Sequence, residues 1–141
     1  MGRAANLYDN TNTSVTSVIK SAFEIRPSLE NIRVGFQSTE LTYDPTVVLH
    51  AWQKLYKAAS SEPNLWTNPA YQHDMVDVTR QVMANAFIPL YQSLISSWNT
   101  SDADSLSKTG KIVIDFLGDL NNVLLTNSNF RLSLGIKSAR S

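Results

Sequence analysis

The stretch Asn68-Pro69-Ala70-Tyr71-Gln72-His73-Asp74-Met75-Val76-Asp77-Val78-Thr79-Arg80-Gln81-Val82 constrains the fold most strongly. Proline suits the first position of a helix, where its missing N–H costs nothing, and Asn68 before it can cap the free amides of the first turn. Behind this start, Tyr71, Met75, Val78, Val82, Ala86, Leu90 and Leu94 recur at helical intervals. That period predicts a long amphipathic helix with one apolar stripe, ending near Trp98. Pro89 falls inside the pattern. It removes a backbone hydrogen bond and kinks the chain, so either packing supports the bend or two helices meet there.

A similar signal precedes it. Asp44-Pro45 opens a helix whose apolar face is Val48, Ala51, Trp52, Leu55, Tyr56 and Ala59. Ser60-Ser61-Glu62-Pro63-Asn64 ends that helix in a loop. A third helix begins at Asp102 or Asp104 and keeps its period through Leu106, Gly110, Val113, Leu117, Leu120 and Leu124. Ile112-Val113-Ile114 favours a strand locally, but the longer period outweighs it. Asn127-Ser128-Asn129 breaks this helix, and a short fourth one can start at Phe130.

The first 44 residues read differently. Asp9 to Ser17 is a polar, Asn/Thr/Ser-rich tract, and Val15 to Phe23 fits a short helix or a strand equally. Arg26 precedes Pro27 and is biased away from helix. The expected organisation is an irregular arm over residues 1–44, a helical bundle over 45–135 and a frayed tail over 136–141. The fold class is all-α: an open bundle of about three long helices, its arm packed on the bundle or on a neighbouring domain.

Composition narrows the function. Twelve basic and twelve acidic residues cancel, and no basic run is present, so nucleic acid is not an expected partner. No apolar run reaches the ~18–20 residues that span a bilayer. The chain has no cysteine and two histidines, His50 and His73, so neither a metal site nor a cofactor is expected. Gly-rich phosphate loops, nucleophile elbows and His-Glu-x-x-His pairs are absent.

Four polar residues stand out: His73, Asp74, Asp77 and Arg80. Spacings of three and four bring such residues onto adjoining turns of a helix. The first reading is a structural polar network docking the helix on a neighbour; the second is one wall of a polar ligand site. A catalytic pair is not expected. Glycoside hydrolysis with retention needs carboxyls about 5–5.5 Å apart on either side of the scissile bond, and Asp74 and Asp77 share one helix. Trp52 and Tyr56 suit core positions. Trp66 lies between two helices, where it either plugs the junction or stacks on a sugar.

Several of these segments together resemble the C-terminal helical domain of the α-N-acetylglucosaminidases, glycoside hydrolase family 89. Arg26-Pro27-Ser28-Leu29 is similar to the loop before that domain's helices, and Ala51-Trp52-x-x-Leu55 to its first helix. The run from Tyr71 through Asp74, Met75-Val76-Asp77-Val78-Thr79-Arg80 and Gln81 is the most specific part. Leu120 to Leu125, Phe130 and Leu134-Gly135 resemble the segments that follow, and after Gly135 the pattern departs from the family. Both ends look cut relative to the family.

The resemblance implies a multidomain retaining exoglycosidase with a small N-terminal domain, a (β/α)8 barrel and a helical C-terminal domain. Such enzymes release terminal α-linked N-acetylglucosamine from glycans such as heparan sulfate. The two catalytic glutamates belong to the barrel, so no residue of this chain inherits them. The implied partners are that barrel and, in the whole enzyme, a glycan. Self-association through exposed apolar surface is the expectation for a stand-alone helical interaction module derived from the domain. The family location is secreted, lysosomal or vacuolar; no signal peptide is visible at the start of this chain, and glycosylation of the Asn12 and Asn99 sequons matters only on that route.

Overall fold

The structure, a computed structural model, describes residues 41, 43–131 and 137. The expected arm, apart from residues 41, 43 and 44, and the tail, apart from residue 137, lie outside the described residues, as does the Val15–Phe23 segment. Three helices follow in order: α1 (Pro45–Ser61), α2 (Pro69–Asn99) and α3 (Ala103–Leu125). A 3₁₀ turn, Pro63–Thr67, joins α1 to α2, and a second, Ser128–Phe130, follows α3. No strand occurs among the described residues, so the all-α open bundle holds. Among the described residues, no helix is long and apolar enough to cross a membrane.

Each helix start is a side-chain cap. Asp44 accepts from the Thr46 amide at 2.9 Å, and Asn68 from the Ala70 and Tyr71 amides at 2.9 and 3.2 Å. Asp102, not Asp104, caps α3, accepting from the Ser105 amide at 3.0 Å and its hydroxyl at 2.6 Å. Bonds to Thr46 hold the Asp44 carboxyl below its ordinary pKa, and bonds to Ser105 do the same for Asp102. These donors favour the charged carboxylate.

α2 is the central element and packs on both α1 and α3. It therefore has two buried faces rather than one stripe. Val78 and Asn85 lie on the side that meets α1 and the chain leading into it; Val76 lies nearly half a turn away and Ala84 about a third of a turn. Ala86, expected in the stripe, is exposed. On the α1 side, Trp52 donates its indole N–H to the Thr79 hydroxyl at 2.9 Å, and Thr79 donates onward to the Met75 carbonyl at 2.6 Å. The Tyr71 hydroxyl donates to the Leu55 carbonyl at 2.6 Å, and burial pushes its pKa up. On the α3 side, Phe87 meets Phe116 at 6.1 Å between ring centroids.

Helix α2 runs unbroken through Pro89 as one helix of 31 residues. Val113 sits buried in α3, where the strand-forming triplet is helical because packing on α2 rewards the longer period. Tyr56, expected in the core, is 50% exposed.

The α2–α3 turn closes without glycine. The Asp102 amide donates to the Ser97 carbonyl at 3.2 Å and the Ser101 amide to the Trp98 carbonyl at 3.0 Å, the two bonds of a Schellman motif. Ser101 takes the left-handed position, with φ of 54°. Glycine adopts that conformation without a Cβ clash. Ser101→Gly is therefore expected to stabilise the chain by about 0.5–1 kcal/mol, read as a higher urea midpoint at unchanged m-value.

Candidate functional site

The polar residues of α2 separate into two pairs. His73 Nδ1 lies 3.7 Å from Asp74 Oδ1, with both side chains largely in solvent. Arg80 donates to Asp77 Oδ1 at 2.7 Å across one helical turn. No bond joins Asp74 to Asp77 or His73 to Asp77 among the described residues. Each aspartate has a basic neighbour on its own helix.

Phe130 links the two pairs. Its ring centroid is 4.9 Å from that of His73 and 6.0 Å from the Arg80 guanidinium carbon. The 3₁₀ turn after α3 thus returns to the first half of α2, where Phe130 covers the ion-paired face. Phe130 is the last residue of this 3₁₀ turn, started by Asn127, whose side chain accepts from the Asn129 amide at 3.0 Å; apart from Arg131 and the helical Lys137, the short fourth helix expected from Phe130 lies outside the described residues. Arg80 Nε is buried without a hydrogen-bond partner among the described residues. The cation–π contact with Phe130 offsets part of that cost, at about 0.5–1 kcal/mol for an exposed site.

A second polar cluster lies on the other buried side of α2. The Tyr43 hydroxyl donates to Asn85 Oδ1 at 2.7 Å, and Gln81 Nε2 donates to the Tyr43 hydroxyl at 2.9 Å and to Asn85 Oδ1 at 3.2 Å. This ties the chain before α1 to the middle of α2. Asn85 Nδ2 is buried and unpartnered among the described residues. No local pattern announces the cluster, because Tyr43 lies 42 residues from Asn85.

An aromatic row runs along the α1–α2 junction: Trp52, Tyr56, Trp66 and Tyr71, with successive ring centroids 5.6, 6.0 and 5.6 Å apart. Trp66 both caps the junction, through its edge contact with Tyr71, and remains 41% exposed.

Comparison with known proteins gives this arrangement a family. The family model described as the Alpha-N-acetylglucosaminidase (NAGLU) C-terminal domain matches residues 4–141. Human alpha-N-acetylglucosaminidase is 30% identical over 116 residues, which cover 82% of this chain and 14% of that protein. No solved structure matches the chain. The signature on α2, the Trp52 helix before it and the Phe130 turn after it fall within one family match, and the chain belongs to the α-N-acetylglucosaminidase C-terminal domain family.

Proposed function

We propose that this chain is the helical part of a retaining exoglycosidase that releases terminal α-linked N-acetylglucosamine from glycans such as heparan sulfate. In that enzyme it braces the catalytic barrel, walls one side of the substrate pocket and supplies no catalytic carboxyl. The secretory and lysosomal or vacuolar route follows from the same reading. The Asp77–Arg80 pair under Phe130 serves there as a structural clamp, holding the turn after α3 on α2.

The observation that carries the bracing role is the outer shoulder of α3. Ile114 and Leu117 lie one turn apart on the helix surface, and Leu125 continues the same line beyond the exposed Asn121; all three apolar side chains are exposed, Ile114 by 71%. Large apolar side chains left exposed together mark a candidate contact face. Covering a full isoleucine side chain gains roughly 1.5–3 kcal/mol. The remainder of a much longer enzyme is one cover for it; a second copy or another protein is the cover under the stand-alone module reading.

Two measurements separate these readings. The pure 141-residue chain is expected to release no aryl group from an aryl α-N-acetylglucosaminide, and measurable turnover would overturn the non-catalytic assignment. Sequencing both ends of the native transcript is expected to extend the frame upstream into a barrel that carries two carboxylates. In that full-length enzyme, Ile114→Asp should lower the yield of active protein while leaving KM unchanged. A transcript bounded at Met1 and Ser141 would instead leave the interaction module.

A further inference from the structure

The turn between α2 and α3 holds the Asn99-Thr100-Ser101 sequon, and all three residues are exposed. Asn99 is the last residue of α2, so the sequon sits at a corner of the bundle. The Asn99 carboxamide takes no hydrogen bond among the described residues, and neither does the Ser101 hydroxyl. The hydroxyls around them are committed. Thr100 donates to the Ser96 and Ser97 carbonyls at 3.1 and 3.2 Å, and Ser97 to the Ser93 carbonyl at 3.0 Å.

The fold itself does not ask for serine at position 101. The residue stands at φ 54° in the Schellman motif, where glycine avoids the Cβ clash. Backbone strain kept at an exposed residue whose side chain bonds nothing points to a use outside folding. Glycine would suit the turn but would erase the hydroxyl two positions after Asn99. Attachment of a glycan to asparagine requires that hydroxyl as well as the carboxamide. Trp98, immediately before Asn99, is 50% exposed. Its ring is left without the burial such a side chain normally gains, and the apolar C–H face of a sugar on Asn99 can cover it.

We infer that Asn99 is the acceptor of an N-linked glycan and that this end of the bundle faces solvent in the whole protein. The donor is a lipid-linked oligosaccharide pyrophosphate. Asn99 Nδ2 bonds to the anomeric carbon, and the bond from that carbon to the pyrophosphate oxygen breaks. The amide proton passes to a base of the transferase, and the lipid pyrophosphate leaves. A bulky, hydrated glycan keeps the turn off any protein neighbour. The Ile114 face stays open to a partner, because Ile114 lies roughly 16 Å along α3 from Ala103. Access to the donor rests on the secretory route proposed above; the acceptor itself rests on the turn.

The test secretes the 141-residue chain from a eukaryotic cell behind a cleavable signal peptide. Peptide-N-glycosidase in heavy-oxygen water then converts each glycan-bearing asparagine to a labelled aspartate, read by peptide mass spectrometry. The expected result is label at Asn99, lost in Asn99→Gln and Ser101→Gly and kept in Ser101→Thr. Ser101→Gly produced in bacteria, free of sugar, should unfold at a higher urea midpoint than wild type, so its loss of label is not a loss of folding. An unlabelled Asn99 in the secreted wild-type chain overturns the acceptor. Label that survives Ser101→Gly overturns the part given to the hydroxyl. The native protein, isolated from its own cells, separates this inference from the reading it rests on. A bare Asn99 in a native protein that has lost a signal peptide overturns the solvent-facing end. A bare Asn99 in a native protein that never entered the secretory route overturns that route and leaves the acceptor standing.

Discussion

Replacing Pro89 with alanine should raise the unfolding free energy by about 1–3 kcal/mol, because proline inside a helix costs about 3 kcal/mol relative to alanine. Pro89 is exposed and sits well inside the 31-residue α2. It has no N–H to donate to the Asn85 carbonyl four residues earlier. Alanine restores that bond and removes the ring clash. Asn85, whose carbonyl lacks that bond, is also where Tyr43 and Gln81 converge, so the gain falls short of the full figure to the extent that their contacts depend on the local backbone. Urea unfolding of the wild-type and Pro89→Ala chains decides the matter. A rise in midpoint supports a tolerated defect, whereas a fall means that Pro89 holds Asn85 against Tyr43 and contributes more than the missing bond.

The helices were legible where chemistry is local. Asp44-Pro45, Asn68-Pro69 and Asp102 each combine a capping oxygen with a following helical period, and each begins a helix. The end of α2 was less legible, because the usual mark of a Schellman turn is glycine and here Ser101 takes the left-handed position. A single stripe misses one face of α2 for a different reason. A helix packed on two partners spreads its apolar residues around its circumference, so Val76 and Ala84 fall off any single stripe. Tyr56 has the spacing of the apolar face of α1, yet it lies at the outer edge of the aromatic row and is half exposed.

The candidate site was legible in part. The i,i+3 spacing gave the Asp77–Arg80 pair directly. It could not give Phe130, fifty positions further on, because contacts of that separation leave no periodic trace. The same applies to Trp52 with Thr79 and to Tyr43 with Asn85, which are the bonds that fix α1 against α2. Local pattern sets which side chains a helix offers. Tertiary packing alone determines which of them meet.

Two apolar residues of α3 should answer very differently to truncation. Leu120 is 7% exposed and faces the core between α3 and α2, so Leu120→Ala should cost about 2–5 kcal/mol, as loss of buried methyl groups plus the cavity left behind. For a domain of this size that is a large share of a total stability of roughly 5–15 kcal/mol. Ile114 is 71% exposed, and Ile114→Ala should stay within about 0.5 kcal/mol in the isolated chain. Thermal unfolding of the two variants checks both values. The contrast matters because the two residues are alike in hydrophobicity and lie six apart on one helix. If Ile114→Ala proved as costly as Leu120→Ala, Ile114 would already be covered within this chain, and the shoulder of α3 could not serve as the face that meets the rest of the enzyme. A small effect in the isolated chain, joined to a loss of active full-length enzyme on Ile114→Asp, would place the role of that residue in docking rather than in folding of the bundle.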